Sequence, residues 1–334
     1  MTSIVTFPVS DSSHRRAVDG GGKLLEPAGS PGAPQIVIAR RGSRRLDSEE
    51  LFKTQRPRLL AIAYGMLGSA SDAEDVVQEA FLRWQRGGAG GVDFPERYLA
   101  RIVTRLSIDH LRAVKRRRED YVGVWLPEPV TGDGTDPEGM TLLADSLSFA
   151  LLRVLETLTP VERAVFLLCE VFGYRHAEVG RMIGKTEANT RQILHRARTR
   201  VIAERPSRPV SRGETERLVS AFLEAAARGD MAALLAILDE DIVWYGDGGG
   251  KAPAVLQPVR GAAKAARLAV GLARQFSAEA QVRVANVNGQ PAVLVYLQGA
   301  LAGVLIPSVA NGRIRELDWV SNPDKLRLVR PRLH

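Results

Sequence analysis

The sequence predicts a multidomain chain: two all-α modules, the second built on a helix-turn-helix, followed by an α+β domain. Three observations carry this. Apolar residues recur at helical spacing over residues 47–119 and again from about 142 to the prolines Pro206 and Pro209. Residues 174–198 read as a helix, a glycine turn and a second, basic helix. Beyond Glu214, two amphipathic helices give way to alternating strands with Asn288-Gly289 and Asn311-Gly312 as hairpin turns. Helices followed by a meander make an α+β domain.

Residues 1–45 are rich in Gly, Pro, Ser and Arg and lack periodicity, the composition of a disordered tail. In the first module (46–119), Leu51, Leu59, Leu60, Ala63, Tyr64 and Leu67 mark one helix, ended near Gly68. Ser71 is placed to cap the next, with Asp72, Glu74 and Asp75 in a first turn whose dipole favours anions. That helix runs through Val76, Val77, Ala80, Phe81 and Trp84 to Gly87-Gly88. A third begins near Pro95, runs through Tyr98, Ile102, Leu106, Ile108 and Leu111, and ends in Lys115-Arg116-Arg117-Arg118. Residues 120–140 form a linker, because the two prolines of Trp125-Leu126-Pro127-Glu128-Pro129 block both helix and ladder.

The second module (141–206) resumes with a helix at about 142–157. Thr159-Pro160 starts the next, with proline at the first helical position. Val179, Met182 and Ile183 then give one apolar stripe, and Gly180 lets a neighbouring helix cross closely. Gly184 supplies the positive backbone angle of a tight turn, and Thr186 is a natural N-cap for the basic helix. On that helix Ile193, Leu194, Ala197 and Thr190 face inward. Glu187, Arg191, Gln192, His195 and Arg198 share the other face, with Arg196 near its edge. A helix anchored behind and carrying donors in front is what major-groove reading requires. An ordinary helical hairpin with a solvated basic face has the same pattern.

In the α+β domain, helices over 214–228 and 231–238 precede a strand at 242–245. The loop Asp247-Gly248-Gly249-Gly250-Lys251 and a helix around 262–275 follow. The apolar stretch 291–307 contains Gln298, Gly299 and Gly303, which makes it two strands rather than a membrane helix. No secretory signal is visible at the start of the chain, so a cytoplasmic protein without a membrane partner is expected.

Composition narrows the chemistry. The 46 Lys+Arg against 38 Asp+Glu give a net charge of +8, and a polyanion is the first partner to consider. A single cysteine, Cys169, in an apolar run excludes an intramolecular disulfide and reads as a buried thiol. One cysteine and five scattered histidines leave no metal-ligand cluster, and no cofactor is expected. In the α+β domain Asp247, Asp318 and Glu240 are the obvious carboxylates near strand ends, and its sole histidine is the terminal His334. No catalytic residue is assigned. The inward-facing strand positions read Val, Leu, Ala and Ile, which suits an apolar ligand or a packed interior.

Over residues 48–204 the chain resembles the extracytoplasmic-function (ECF) sigma factors of bacterial RNA polymerase. Residues 72–84, Asp-Ala-Glu-Asp-Val-Val-Gln-Glu-Ala-Phe-Leu-Arg-Trp, look like the family's second region. The resemblance implies that Asp75, Gln78, Glu79, Phe81 and Trp84 dock on the clamp helices of the polymerase β′ subunit, although Phe81 and Trp84 also suit a core. Residues 98–112 look like the adjoining segment that melts and reads the minus-ten element. Tyr98, Thr104, Arg105, Arg112 and Arg116 fit the aromatic, polar and cationic roles that holding unstacked bases demands. Many members carry Trp where Tyr98 stands and Asn where Arg105 stands, which leaves the base preference open; Asp109 reads as a local cap or pair. The helix-turn-helix matches the fourth region, implying that Glu187, Arg191, Gln192, His195 and Arg196 bear on minus-thirty-five DNA. Two DNA-reading modules on a flexible linker suit promoter elements about two helical turns apart. The implied partners are core RNA polymerase, through the β′ clamp helices and the β flap, and promoter DNA.

Three further motifs resemble the signatures of ECF sigma factors with a fused SnoaL-like C-terminal extension, the SigJ-like group. They are Trp125-Leu126-Pro127-Glu128-Pro129, Asp247-Gly248-Gly249-Gly250-Lys251 and Asn322-Pro323-Asp324-Lys325-Leu326. The resemblance makes the fold two all-α sigma domains plus an α+β SnoaL-like cone over about 212–330, the cone acting as a built-in regulator. Trp125, Pro127, Asp247, Gly248, Gly249, Gly250, Lys251, Asn322, Pro323, Asp324 and Lys325 would then form an intramolecular contact with the sigma domains. Read from the residues alone, the glycine loop suits close approach to the linker, to a sigma module or to an anion, or merely a turn with positive angles. A ligand-responsive helix-turn-helix regulator with a small-molecule-binding cone is the competing function. It would bind promoter DNA alone, where a sigma factor would need core polymerase.

Overall fold

A computed structural model of the chain describes residues 48–87, 94–118, 121–131, 147–204, 210–276 and 280–329. The expected tail at 1–45, linker residues 132–140, residues 142–146, Gly88, Pro206, Pro209, His334 and the side chain of Arg116 lie outside them.

Helices α1 (Ser48–Leu67), α2 (Ala70–Gly87) and α3 (Pro95–Arg118) make the first module. Gly68, with φ +66°, ends α1 where expected. Ser69 rather than Ser71 caps α2, its Oγ accepting from Asp72 N at 3.2 Å. Ser71 lies inside the first turn, and its amide is satisfied by a residue remote in sequence, described below.

The second module holds α4 (Phe149–Leu155), α5 (Pro160–Phe166), α6 (His176–Ile183) and α7 (Glu187–Glu204), with a π turn at Leu167–Val171 after α5. Thr159 and Glu162 form a capping box around Pro160. Gly184 (φ +71°) makes the turn, and Thr186 Oγ1 accepts from Asn189 N at 3.2 Å. A Cβ on Gly180 would lie 2.7 Å from Lys185 O and 3.1 Å from Thr190 Oγ1, so only glycine lets the turn and α7 sit so close. Thr190, Ile193, Leu194 and Ala197 are buried, as their spacing predicts. Cys169 is half-buried, and burial pushes its thiol up to about 11.

The C-terminal domain contains α8 (Arg212–Arg228), α9 (Met231–Ile237), β1 (Leu238–Asp247), β2 (Val259–Arg260), α10 (Ala262–Phe276), β3 (Ala280–Val287), β4 (Gln290–Leu297), β5 (Ala300–Ala310) and β6 (Arg313–Val320). The sheet order is β2-β1-β6-β5-β4-β3. Strands β3 to β6 form the antiparallel meander, and β1 joins β6 in parallel. Three two-residue turns connect the meander, Asn288-Gly289, Gln298-Gly299 and Asn311-Gly312, all with positive φ. On one face of the sheet Trp244, Val293, Leu305 and Leu317 pack with Val219, Phe222, Ala266 and Val270 of the helices. These strand positions, which suit either an apolar ligand or a packed interior, lie against helix side chains here.

The two helical modules share one core: Leu59, Tyr64 and Met66 of α1 belong with Leu151, Leu167 and Leu168 of the second module. A Cβ on Gly65 would meet Leu147 and Leu167 within 3.3 Å. The opposite face of the sheet is covered by Leu126 of the linker, Phe149 of α4, and Leu326 and Val329 beyond β6. Among the described residues no helix is long and apolar enough to cross a membrane, and no group of three His, Cys, Asp or Glu is placed to hold a metal.

Candidate functional site

Two kinds of surface emerge: helix faces open to solvent, and a seam where linker, modules and C-terminal domain meet. On α2, Asp75 and Gln78 are exposed and Glu79 pairs with Arg83 at 2.8 Å. Phe81 is half-buried against Phe52, with ring centroids 4.4 Å apart. Trp84 is 1% exposed and packs on Tyr98, so it is a core residue and presents nothing to a docking partner here. The helix turns Asp75 and Gln78 outward and Ala80 and Trp84 inward, as its period requires.

On α3 the expected DNA residues are dispersed. Thr104 is fully buried and donates to Ala100 O at 2.7 Å, which removes it from any DNA surface in this arrangement. Tyr98 is half-buried. Arg105 donates from Nε to Met182 O, 2.9 Å away on α6, and Arg97 pairs with Glu178 at 3.0 Å. Arg112 is exposed beside Asp109, a local pair at 3.4 Å. Thus α3 lies against the helix-turn-helix. On α7, by contrast, Glu187, Arg191, Gln192, His195 and Arg196 are all exposed; Arg191 pairs with Glu187, and Arg196 approaches Glu162 at 4.0 Å.

The three motifs meet at the seam. Asp247, at the end of β1, is completely buried. Its carboxylate accepts from Tyr121 OH at 2.6 Å, Leu126 N at 2.8 Å and Lys325 Nζ at 2.6 Å. Lys325 also donates to Leu126 O and lies 4.0 Å from the centroid of the Trp125 ring. Four groups that are costly to bury are therefore satisfied by one another. Burial, with Asp247 adjacent, raises the Tyr121 phenol above its ordinary value. Gly249 (φ +58°) and Gly250 (φ +70°) have the positive angles of a turn, and they also permit close approach. A Cβ on Gly249 would lie 2.2 Å from Asn322 Nδ2, and one on Gly250 would lie 3.3 Å from Val122. A Cβ on Gly248 would lie 2.0 Å from Ala252 O. Lys251 and Asp324 form an exposed ion pair, and Pro323 stiffens the turn between Asn322 and Lys325. A cleft of about 380 Å³ opens beside this loop between Val122, Gly123, Lys251 and Leu256.

The linker's other side rests on the first module. The Trp125 ring covers Gly68, where a Cβ would lie 2.8 Å from it, and Pro127 is buried. Glu128, which the sequence did not single out, sends its carboxylate to the start of α2. It accepts from Ser69 Oγ at 2.8 Å, Ala70 N at 2.8 Å and Ser71 N at 3.3 Å. These are amides that a helix N-terminus leaves unpaired. A second charged contact joins α4 to the sheet. Arg153 pairs with the fully buried Asp318 at 2.5 Å and stacks 3.7 Å from the Tyr245 ring centroid. Burial, helped by Glu316 and opposed by Arg153, pushes Asp318 up to about 7. Helical and strand periodicity marks such faces as buried or exposed, but carries no record of which remote segment covers them.

Residues 51–117 match the family model Sigma-70 region 2, and residues 148–201 match Sigma-70, region 4. The chain is 36% identical over 290 residues to the ECF RNA polymerase sigma factor SigJ of Mycobacterium tuberculosis, covering 82% of this chain and 91% of the relative. It is 34% identical over 285 residues to a probable ECF RNA polymerase sigma factor, SigI, of the same species, covering 84% of this chain and 96% of the relative. The crystal structure of the Mycobacterium tuberculosis SigJ superposes with a TM-score of 0.68 at 32% identity, covering 83% of this chain and 98% of that one.

Proposed function

The chain belongs to the ECF RNA polymerase sigma factors, the subunits that direct transcription initiation, and from that premise we propose that it rests in a closed, self-restrained form set by its SnoaL-like C-terminal domain. The observation that carries this is the packing of α3 on the helix-turn-helix, through Arg105 to Met182 O at 2.9 Å and Arg97 to Glu178 at 3.0 Å. Promoter elements two helical turns apart lie roughly 70 Å from one another along the duplex. Helices in van der Waals contact cannot read both. The segment between α3 and α4 has the reach: about 30 residues span at most ~100 Å when extended. In the closed form that segment is pinned instead, with Trp125 and Glu128 on region two and Leu126 on Asp247.

On this reading Asp75, Gln78 and Glu79 dock on core polymerase, at the β′ clamp helices, while the basic face of α7 waits for minus-thirty-five DNA. Region four also contacts the β flap. Tyr98, Arg105, Arg112 and Arg116 act on minus-ten DNA only after α3 leaves α6. Polymerase drives the opening to the extent that it binds the open form better than the closed one. The protein works in the cytoplasm, at the nucleoid when in holoenzyme. The test is run-off transcription with reconstituted core polymerase, comparing the full chain with one ending near Pro206. A difference in promoter output is expected; equal output from the two chains sinks the regulatory role.

A further inference from the structure

Hairpin tips are ordinarily exposed. Asn311, first residue of the β5–β6 turn, follows that rule, with φ +52° and an exposed side chain. Asn288 occupies the same position of the β3–β4 turn, with φ +49°, yet it is only 1% exposed. Both asparagines suit the left-handed backbone of the turn, so the turn alone does not explain the burial of one.

The side chain of Asn288 reaches out of its own domain. Its Nδ2 donates to Tyr64 OH on α1 at 2.8 Å and to Leu147 O, just before α4, at 3.3 Å. Its Oδ1 accepts from Val130 N at 3.0 Å, and its own amide donates to Val130 O at 2.9 Å. One amide group therefore ties region two, the linker and the entry to region four to the C-terminal domain. Tyr64, completely buried, passes the connection on by donating to Glu128 O at 2.6 Å. Glu128 in turn holds the first amides of α2, the helix whose exposed side is read as the polymerase-docking surface.

We propose that Asn288 is a positioning residue, the lock that holds the C-terminal domain to region two and so maintains the closed form. The consequence for transcription rests on the regulatory reading above; the lock itself does not. Its logic is an asymmetry. When the seam is open, water satisfies Asn288, Tyr64, Val130 and Leu147. When it is shut, those groups depend on the Asn288 side chain, and losing it strands buried donors and acceptors at a cost that shifts an equilibrium roughly ten- to hundredfold. Asn288→Gly therefore acts on the closed form alone, because glycine keeps the positive-φ turn.

The test sets Asn288→Gly beside Asn311→Gly in the full chain, the same substitution at the same turn position. Amide hydrogen exchange is followed at Leu126 and Glu128, whose amides bond to Asp247 and Gly68 rather than to Asn288. Exchange at both is expected to quicken at least tenfold in Asn288→Gly and to stay at the wild-type rate in Asn311→Gly, with strands β3 and β4 protected in each. Tyr64→Phe, which breaks the same chain at its middle link, should quicken exchange too, and its effect should not add to that of Asn288→Gly. Unchanged exchange in Asn288→Gly overturns the lock. Faster exchange with unaltered run-off transcription leaves the lock standing and removes the regulatory reading beneath it, so the two failures are told apart.

Discussion

The sheet of the C-terminal domain has two covered faces, and they are covered differently. The face toward α8 to α10 is dry, built from Phe222, Trp244, Val270, Leu305 and Leu317. The face toward the sigma regions has apolar residues as well, Leu126, Phe149, Ile306 and Val320 among them. It is also bordered by Asp247 with Lys325, Asp318 with Arg153, and Asn288 with Tyr64. An apolar face gains nothing from water and stays shut. A face that must part is helped by groups that bond to each other when shut and to water when open. On the proposed reading, the permanent and the reversible contact of one sheet are distinguished by chemistry more than by burial.

Truncation on the dry face should give the largest effect. Trp244 is buried with its ring 6.3 Å from Phe222, and Trp244→Ala is expected to cost about 3–5 kcal/mol. Because that core holds the domain together, exchange should rise throughout β1, β6, α8 and α10, and chemical unfolding should report the loss. Local loosening of the sigma seam with those elements protected would reverse the assignment of the two faces.

Asp247→Ala comes next. Removing the carboxylate strands Lys325, buried beneath Trp125, and a buried pair cut in half costs about 3 kcal/mol or more. The loss is capped, because opening the seam rehydrates Lys325. Exchange should therefore quicken in residues 121–131 and 321–326 while the Trp244 core keeps its protection. Global unfolding of the domain by this change would mean that the polar face is as permanent as the dry one.

Much of this was legible in the residues, and for identifiable reasons. Gly68, Thr159-Pro160, Gly184 and Thr186 end or start helices through their own backbone and side chains, so local sequence suffices. Asn288-Gly289 and Asn311-Gly312 announced their hairpins likewise. Ser71 reads as the cap of α2, but Ser69 caps it, and Glu128, 58 residues away from Ala70, completes that helix end. Trp84 and Thr104 carry the residue types of a docking or DNA surface and yet are core, since period fixes a face without naming what covers it. The motif residues around Asp247 stand out through resemblance rather than through periodicity. Asn288 reads only as a turn in the sequence, because its burial depends on Tyr64, 224 positions distant.

Acidity offers a finer probe of the face proposed to open. Asp318 is held at about 7, mainly by burial, with Arg153 on α4, Glu316 on β6 and Tyr245 on β1 around it. Once α4 lifts away, the carboxyl meets water and returns toward ~3.9. The closed form then binds the proton more tightly than the open one. Its contribution is fully present below about pH 4 and is lost as pH rises through 7, at up to about 1.4 kcal/mol per unit. Protection of α4, corrected for intrinsic exchange, should fall between pH 5 and 7 and then level off. Asp318→Asn should flatten the profile. Protection that instead grows with pH would show that pairing with Arg153 outweighs burial.

The smallest effect is expected at Lys251, although it belongs to the same motif as Asp247. Its ammonium pairs with Asp324, but both side chains are about half exposed, at 56% and 44%. Lys251 and Arg327 together hold the Asp324 carboxyl below its ordinary range, Lys251 first, yet solvent screens such pairs and they are worth only ~0.5 kcal/mol. Lys251→Ala should therefore leave exchange across residues 121–131 within about threefold of wild type, and added salt should erase the difference. Transcription by the holoenzyme is the more telling readout. If Lys251→Ala alters run-off output as strongly as Asp247→Ala while the seam stays protected, the lysine acts in the open complex, on polymerase or DNA. The Asp247-Gly248-Gly249-Gly250-Lys251 motif would then serve two states, with its buried carboxylate holding the closed form and its exposed cation working in the open one.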